Sequence, residues 1–183
     1  MKSLSFLCAL SISFFSFNCL AAFEKGHELS QLVLEGENGG HLDGSAWDSE
    51  SMKGKISILF YVDPDEKDKN DEFSEALKER SFSREYAQFY AIINMNATWL
   101  PNFAISSSLK SKQKKYPDTV YLKDFKKVGV LKWEVADDEN NVLILDTEGR
   151  VIFSKFGKLN KEEIQKALSL IENEIDKLQE MES

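Results

Sequence analysis

Cysteine is the residue whose scarcity says most about this chain. The 183 residues include two cysteines, Cys8 and Cys19, and none follows position 19. Both lie in an apolar N-terminal stretch that we expect to be removed, so the mature product has no thiol. Disulfide bonds, thiolate nucleophiles and cysteine-ligated zinc are then excluded together. The stability of the mature protein must come from an ordinary hydrophobic core.

Other residue types that often take part in catalysis are also scarce, or they lack the neighbouring residues of a catalytic motif. The chain has two histidines, His27 and His41, and neither belongs to a metal-binding spacing such as His-Glu-x-x-His. Ser107 and Ser108 lack the Gly-x-Ser-x-Gly context of a nucleophile elbow, and no glycine-rich phosphate loop occurs. The sequence therefore predicts no catalytic residue set and no cofactor.

Positive charge is in deficit, which limits the partners. The formal net charge is −8, and loss of Lys2 with the N-terminal stretch makes it −9. A strongly acidic protein lacks the basic footprint that nucleic acid requires, and it is repelled by anionic lipid. The basic run at residues 110–115 has the spacing of a solvated helix face. We therefore expect no nucleic-acid partner.

The N-terminus has the pattern of a secretory signal peptide. Lys2 supplies a positive start, residues 4–17 form a mostly apolar run without charge, and Ala21-Ala22 offers small residues for cleavage. The apolar run is shorter than the about 20 residues that a membrane-spanning helix needs. This pattern predicts export without stable membrane insertion.

Two alternatives to a cleaved leader are an uncleaved anchor and lipid attachment at Cys19. The residues before Cys19 match the small-residue pattern of lipoprotein processing poorly. We therefore predict a signal peptide over residues 1–22, one mature domain over residues 23–183 and a periplasmic location. The three prolines lie at expected connections, and no linker divides the chain.

Hydrophobic patterning predicts alternating strands and helices. Unbroken apolar runs are typical of strands buried on both faces, and apolar positions with helical spacing are typical of helices. The predicted strands cover residues 31–34, 56–62, 90–95, 119–122, 142–146 and 151–156. The predicted helices include one that carries Phe73 and Leu77 after a cap at Asp68 or Asn70, one at 105–115 opened by Ser106, Ser107 and Ser108, one at 128–133, and one that follows Asn160.

The order of these elements predicts the fold class. A parallel start, an antiparallel closing hairpin and a packed C-terminal helix are typical of a thioredoxin-like mixed sheet flanked by helices. Residues 147–150 supply the hairpin turn, and residues 35–45, rich in Gly, Asn and Asp, are predicted as loop. The prediction is a single α/β domain.

Several segments resemble known proteins. Gly54-Lys55 and the strand after it resemble the start of peroxiredoxin and thioredoxin-like domains, and residues 142–151 resemble their closing hairpin. More narrowly, Ile93-Asn94 and the segments 107–109, 115–117 and 142–151 are similar to the YtfJ family of small secreted bacterial proteins. The resemblance spans most of the mature chain and implies a periplasmic thioredoxin-like protein, without defining a biochemical role.

Two departures from the redox members of that superfamily are informative. Where a thioredoxin carries Cys-x-x-Cys, residues 63–68 read Asp-Pro-Asp-Glu-Lys-Asp. A carboxylate cannot replace a thiolate, because disulfide exchange requires attack by sulfur on sulfur. Where redox members place a cis-proline, this chain has Glu139-Asn140-Asn141. We therefore predict that the protein is not a thiol–disulfide oxidoreductase.

The acidic loop offers candidate ligands for a hard cation such as calcium, which binds oxygen-rich clusters. The candidates are Asp63, Asp65, Asp68 and Asp71. Their spacing departs from the EF-hand pattern, since Lys67 occupies a ligand position. A solvated acidic loop is the alternative. A second acidic stretch, residues 137–141, is expected to adjoin the first and to form a negative patch for a cation or a basic partner, or simply a soluble rim.

The leading functional hypothesis is a non-enzymatic binding or accessory module with a periplasmic protein partner. Trp99, in a predicted loop, is the best candidate for an exposed contact. The alternative is a carboxylate- or cation-dependent enzyme, such as a hydrolase, that uses the aspartates of residues 63–68. A third hypothesis is a decayed redox fold that is retained as a partner of true oxidoreductases.

Overall fold

The computed structural model describes residues 22–182, so all of the predicted signal peptide except Ala22 lies outside the described residues. The strands are β1 (Val33–Leu34), β2 (Gly39–His41), β3 (Trp47–Asp48), β4 (Ile56–Val62), β5 (Ala87–Asn94), β6 (Thr119–Asp124), β7 (Asn140–Leu145) and β8 (Val151–Phe156). The helices are α1 (Asp71–Arg80), α2 (Asn102–Lys115), α3 (Val128–Trp133) and α4 (Lys161–Glu182).

Six strands form one mixed sheet in the order β2-β6-β5-β4-β7-β8. The parallel part consists of β4, β5 and β6, with Ile58 opposite Phe89. On its other side β4 pairs antiparallel with β7, which places Ile144 opposite Ile58, and β7 continues into the hairpin with β8. The predicted mixed sheet with a closing hairpin is confirmed.

Helices α1, α2 and α4 cover one face of the sheet, and α3 with the small β1–β3 ladder covers the other. The apolar stripe predicted for α4 is confirmed, since its buried residues are Ile164, Ala167, Leu168, Ile171 and Ile175. Asn160 and Glu163 form a reciprocal capping box at its start, with bonds of 2.9 Å and 2.8 Å. Other elements therefore pack against both faces of the sheet, as its apolar runs indicate.

The prediction of a loop at residues 35–45 was wrong in part, because β2 pairs antiparallel with β6. This strand has no apolar alternation that sequence patterning could detect. Gly39 has φ of +140°, and a Cβ there would lie 1.9 Å from the Lys123 carbonyl oxygen. Glycine is thus required for the close pairing of these two backbones.

Helix α2 begins three residues earlier than predicted, at Asn102. Ser106, Ser107 and Ser108 therefore lie inside the helix and do not open it; Pro101 precedes its first turn and has no capping side chain. Proline fixes the backbone angle φ that this position needs. Within residues 22–182, none of the helices combines the length and the apolar character needed to cross a membrane.

Candidate functional site

The predicted acidic loop lies at one edge of the sheet, where the parallel strands end. β4 ends at Val62, immediately before residues 63–68, and β5 and β6 end at Asn94 and Asp124. At the same edge β7 begins, with Asn140 opposite Val62. In open α/β sheets ligands bind at the carboxyl ends of the parallel strands. This edge of the sheet is therefore the candidate functional site.

The two acidic stretches, residues 63–68 and 137–141, are in contact at this edge, which confirms the prediction that they adjoin. The backbone N–H of Asp63 donates to the Glu139 carbonyl oxygen at 2.9 Å. Lys69 Nζ lies 2.6 Å from Glu139 Oε2 and 2.8 Å from Glu66 Oε2. Burial alone lowers the pKa of Lys69, but its hydrogen bonds to the two glutamates raise it above the usual value. The negative patch therefore contains a lysine cation of its own.

Asn70 anchors α1 to the start of β7 and the end of β8. Its side chain is buried, with 3% exposure. Nδ2 donates to Asn140 Oδ1 at 3.2 Å and to the Gly157 carbonyl oxygen at 3.1 Å, and Oδ1 accepts from the Leu159 N–H at 2.9 Å. Asn70 occupies the predicted cap position of α1, but its side chain makes no capping bond, because these longer-range partners engage it instead.

Asn141 fixes the segment that leads into β7. Its Nδ2 donates to the carbonyl oxygens of Tyr61 at 3.1 Å and Ala136 at 2.8 Å, and its Oδ1 accepts from the Ala136 N–H at 3.0 Å. Nearby, Asn94 Nδ2 donates to Asp137 Oδ1 at 2.8 Å. Side-chain amides therefore hold this connection against β4 and β5.

Asp124 and Tyr61 continue the network beneath α3. The Tyr61 hydroxyl donates to Asp124 Oδ2 at 3.0 Å, and the Gly129 N–H donates to the same oxygen at 2.8 Å. Burial, together with the Asp124 charge, raises the pKa of Tyr61 far above its usual range. The phenol therefore stays protonated and acts as a fixed hydrogen-bond donor.

We call this set of residues the polar edge. It comprises Tyr61, Lys69, Asn70, Asn94, Asp124, Asp137, Glu139, Asn140 and Asn141. Among the described residues, Trp47 Nε1 is the single buried side-chain nitrogen or oxygen without a hydrogen-bond partner, and it packs in the core beside β1. The buried groups of the polar edge therefore already bond to one another and to the backbone.

Asp63 is the predicted ligand that burial affects most. Its residue exposure is 4%, and its Oδ1 accepts from the Asp65 N–H at 2.8 Å. Desolvation raises the pKa of Asp63 above its usual value, the Asp65 N–H opposes that rise, and the nearby charges of Asp65, Asp138 and Glu66 add to it. The charged form of this carboxyl therefore destabilises the folded state.

Replacing Asp63 by asparagine is expected to raise the melting temperature at neutral pH. Asparagine keeps an oxygen that accepts from the Asp65 N–H and removes the buried charge. Because the folded pKa lies above the unfolded one, the native state binds more protons between these values, and stability falls as the pH rises through that window. Below the ordinary value of 3.8 the carboxyl is protonated in both states, so the gain should vanish there. Thermal unfolding across that pH range checks this.

The matched control is Asp65→Asn, which removes the same charge from an exposed neighbour. A smaller rise is expected there, because an exposed charge is already solvated. A fall in melting temperature for Asp63→Asn at neutral pH would contradict the assignment of burial as the dominant effect.

The four predicted cation ligands do not converge. Asp63 is buried in its own turn, while Asp65, Asp68 and Asp71 are exposed. In the part of the chain that is described, no group of three or more His, Cys, Asp or Glu side chains is arranged to hold a metal ion. Calcium binding by these residues stays a prediction.

Two exposed aromatic side chains follow β5, which ends at this edge of the sheet at Asn94. Trp99, in the connection from β5 to α2, is 87% exposed, which confirms the exposure expected of it. Phe103, in the first turn of α2, is 78% exposed. Phe103 was not predicted as an exposed contact, because the predicted helix began after this residue. Large exposed aromatics of this kind are typical contacts in protein interfaces.

A groove of about 860 Å³ lies between α1 and α2 on the helical face of the sheet. Its floor is apolar and its walls carry charged and hydroxyl side chains. No sequence pattern indicated it, because the spacing between two helices is a tertiary property. It begins beside Asp65 and Asp68, so it opens next to the polar edge.

Comparisons with known proteins agree with this architecture. Residues 27–174 match the family model described as "Bacterial protein of unknown function (YtfJ_HI0045)". The chain is 29% identical over 130 residues to the uncharacterized protein YtfJ of Escherichia coli strain K12, which covers 69% of this chain and 70% of that protein. The family resemblance found in the sequence is therefore confirmed.

Solved structures confirm the fold. The exposed lipoprotein thioredoxin of Streptococcus pneumoniae superposes with a TM-score of 0.52 at 17% identity, over 76% of this chain and 98% of that one. A putative thioredoxin from Neisseria meningitidis gives 0.56 at 13% identity, over 82% and 92%. At such identities the likeness establishes the thioredoxin-like fold alone.

Proposed function

The chain belongs to the YtfJ_HI0045 family of bacterial proteins, and from that membership we propose that it acts in the periplasm as a binding module without enzymatic activity. Export is supported by the N-terminal pattern of Lys2, an uncharged apolar run and Ala21-Ala22. A periplasmic thioredoxin-like protein without cysteine after position 19 has no thiol with which to exchange disulfides.

The observation that carries the proposal is that the buried polar groups of the polar edge already have hydrogen-bond partners within the protein. A general base or nucleophile needs a lone pair that faces a substrate. Here Asn70, Asn140 and Asn141 direct their amides into the protein, and Lys69 is bound by two glutamates. These buried groups bond within the protein, so none of them offers a free reactive atom to a substrate.

The outer surface of the same edge has the composition of a protein contact. Exposed Trp99 and Phe103 supply apolar area, and the exposed carboxylates of Asp65, Asp68 and Asp138 lie on the adjoining loops. We call these five residues the contact surface. An aromatic centre with a charged rim matches the usual anatomy of interfaces. The complementary partner is a protein with an apolar pocket flanked by basic side chains.

Photo-crosslinking in living cells tests this proposal. A photoreactive phenylalanine analogue placed at position 99 should yield a discrete protein adduct in the periplasmic fraction, because position 99 lies in the contact surface. The matched control is position 131, since Leu131 is also largely exposed, at 76%, but lies in α3. That position should give no adduct of the same size.

Charge reversal then tests the carboxylates of the contact surface. Asp65→Lys combined with Asp68→Lys should strongly reduce the adduct from position 99, because both substitutions repel a basic partner. Equal adducts from positions 99 and 131, no adduct at either, or retention of the protein in the cytoplasm would each contradict the proposed function. So would turnover of an ester, phosphoester or peroxide that disappears on Asp63→Asn.

A further inference from the structure

The floor of the groove between α1 and α2 is apolar sheet surface that the helices leave uncovered. Phe60, Phe89 and Ala91 lie on the central strands β4 and β5 and point toward the helices, yet each is only partly buried. On the opposite face of these strands, Leu59 and Ile92 have no exposure at all. The middle of the sheet is thus fully packed on one side and open on the other.

The two walls are joined at the end of the groove where both helices terminate. The Tyr116 hydroxyl, just after α2, donates to Glu75 Oε1 in α1 at 3.0 Å. Lys78 and Lys115 lie 3.4 Å and 3.7 Å from the Glu75 carboxylate. The contacts of Tyr116 and Lys115 with Glu75 therefore connect α2 and α1 across the groove.

Lys112 gives the groove a cation without a counter-ion. It lies on the α2 wall, one turn after Ser108, and both residues line the groove. Lys112 is partly buried, whereas Lys114 on the same helix is exposed and does not line it. Within the described residues, Glu75 forms ion pairs with both Lys78 and Lys115, but no acidic side chain forms an ion pair with Lys112. A lysine and a hydroxyl beside an apolar floor form a receptor for an anionic head group.

The opposite end of the groove has the reverse charge. Asp65, Asp68 and Asp71 line it there, next to the polar edge, and outnumber the one cation, Lys67, which pairs with Asp68. A negatively charged group is repelled from that end and attracted to Lys112. The charges of the walls therefore fix the orientation that an elongated anionic ligand must adopt.

We propose that this groove binds one single-chain amphiphile with an anionic head group, of the fatty-acid class. The head group lies at Lys112 and Ser108, and the chain extends over Phe60, Phe89 and Ala91. Small-ligand sites are concave, mostly apolar clefts of about 300–1,000 Å³ with a few placed polar groups, and the groove agrees with that description. The site goes beyond the proposed partner contact and does not depend on it: Trp99 and Phe103 do not line the groove, and Asp65 and Asp68, which belong to both, lie at the end away from Lys112.

An acidic partner peptide is the competing occupant. A stable protein interface buries about 1,200–2,000 Å² in total and extends well beyond a cleft of this size. A recessed floor between two helices offers little of that area to a peptide. The observations therefore favour the amphiphile, and the peptide is an outcome that the experiment can detect.

Calorimetric titration with dodecanoate, below its micelle concentration, tests the proposal on the protein purified in the form that cells accumulate. Saturable binding of one dodecanoate per chain is expected. Lys112→Glu should weaken it about tenfold or more, since a charge-assisted hydrogen bond is replaced by repulsion. Lys114→Glu makes the same charge change on the exposed side of α2 and should leave the affinity within about twofold.

Chain length and head group supply two further readouts. Going from octanoate to decanoate to dodecanoate should tighten binding by about tenfold at each step, because each step buries two more methylene groups. Dodecylamine, with the same chain and a cationic head, should bind much more weakly. Ala91→Phe fills the floor of the groove and should weaken dodecanoate binding. Thermal unfolding of this variant should remain cooperative.

Three results would overturn the proposal. The first is the absence of saturable dodecanoate binding. The second is binding that responds equally to Lys112→Glu and Lys114→Glu, which would place the head group elsewhere. The third is an acidic apolar peptide that competes fully with dodecanoate and binds more tightly, which would identify the groove as a peptide site.

Discussion

Asn70→Ala is expected to destabilise the protein by about 3–4 kcal/mol, since several buried groups lose their partner at once. The substitution leaves the Leu159 N–H, the Gly157 carbonyl and Asn140 Oδ1 without the bonds that Asn70 makes to them. Each buried polar group left unsatisfied costs about 1–3 kcal/mol. Urea denaturation should show a lower midpoint with an unchanged slope, which is the signature of lost native stability.

Asn96→Ala is the matched control, because Asn96 is exposed and its own side chain makes no hydrogen bond in the described part of the chain. Its effect should stay within about 0.5 kcal/mol. Asn70→Asp keeps the acceptor for Leu159 but places a carboxylate against two carbonyl oxygens, so it should also destabilise the protein. A loss below about 1 kcal/mol for Asn70→Ala would mean that water or relaxation satisfies these groups, and that the polar edge is not a structural network.

This result bears on function because it separates two explanations of the same residues. If asparagines at the redox position stabilise the fold, their replacement changes stability while a partner contact at Trp99 persists in the folded fraction. If they were catalytic, their replacement would remove an activity without a comparable loss of stability. Many active sites show the second behaviour, since their groups are strained or unsatisfied in the resting protein.

Sequence patterning correctly located the elements that have a clear apolar pattern. The bounds of β4, β8 and α3 are confirmed as predicted, and the stripe of α4 is confirmed in its core positions. These segments have unbroken apolar runs or a regular helical period. The strand β5 begins earlier than predicted, at Ala87, because its first residues alternate in polarity and include Gln88. Boundaries are lost where the hydrophobic signal weakens.

The polar edge was only partly predictable. The meeting of the two acidic stretches followed from the fold, because the strand that begins near Asn140 lies beside the strand that ends near Asp63. The amide network did not follow, since Asn70 and Asn140 are far apart in sequence. One signal was present: asparagine is depleted in strands, so a pair of asparagines that opens a buried strand must find partners.

The groove between α1 and α2 could not be predicted from the sequence. The lysine-rich run at residues 110–115 was interpreted as a solvated helix face, and that interpretation is confirmed for the exposed Lys110 and Lys114. Lys112 differs from them, because it is partly buried and lines the groove. Helical spacing places Lys112 on the same side as Ser108 and the buried Leu109, but the spacing alone does not say whether a neighbouring helix covers that side.

Gly129→Ala is expected to destabilise the protein by about 2 kcal/mol, although helix propensity predicts the reverse. Alanine is favoured over glycine inside a helix by about 0.8–1.0 kcal/mol. In α3, however, a Cβ at this position would lie 2.2 Å from Cε2 of Tyr61. Tyr61 has no exposure, and its hydroxyl is bound to Asp124, so the ring has little freedom to move. Overpacking of this kind costs about 1–3 kcal/mol, which exceeds the propensity gain.

A double-mutant cycle identifies the cause. In a Tyr61→Leu background the ring atoms that meet the new methyl group are gone, so Gly129→Ala should become neutral or mildly stabilising, as propensity alone predicts. The coupling energy between positions 61 and 129 should then be about 2–3 kcal/mol. Chemical denaturation of the four proteins measures it. A coupling near zero would show that Gly129 is required for its own backbone and not for the tyrosine packed against it. Strong coupling would instead show that Gly129 is needed because Tyr61, bonded to Asp124 at the end of β6, occupies the space its side chain would fill.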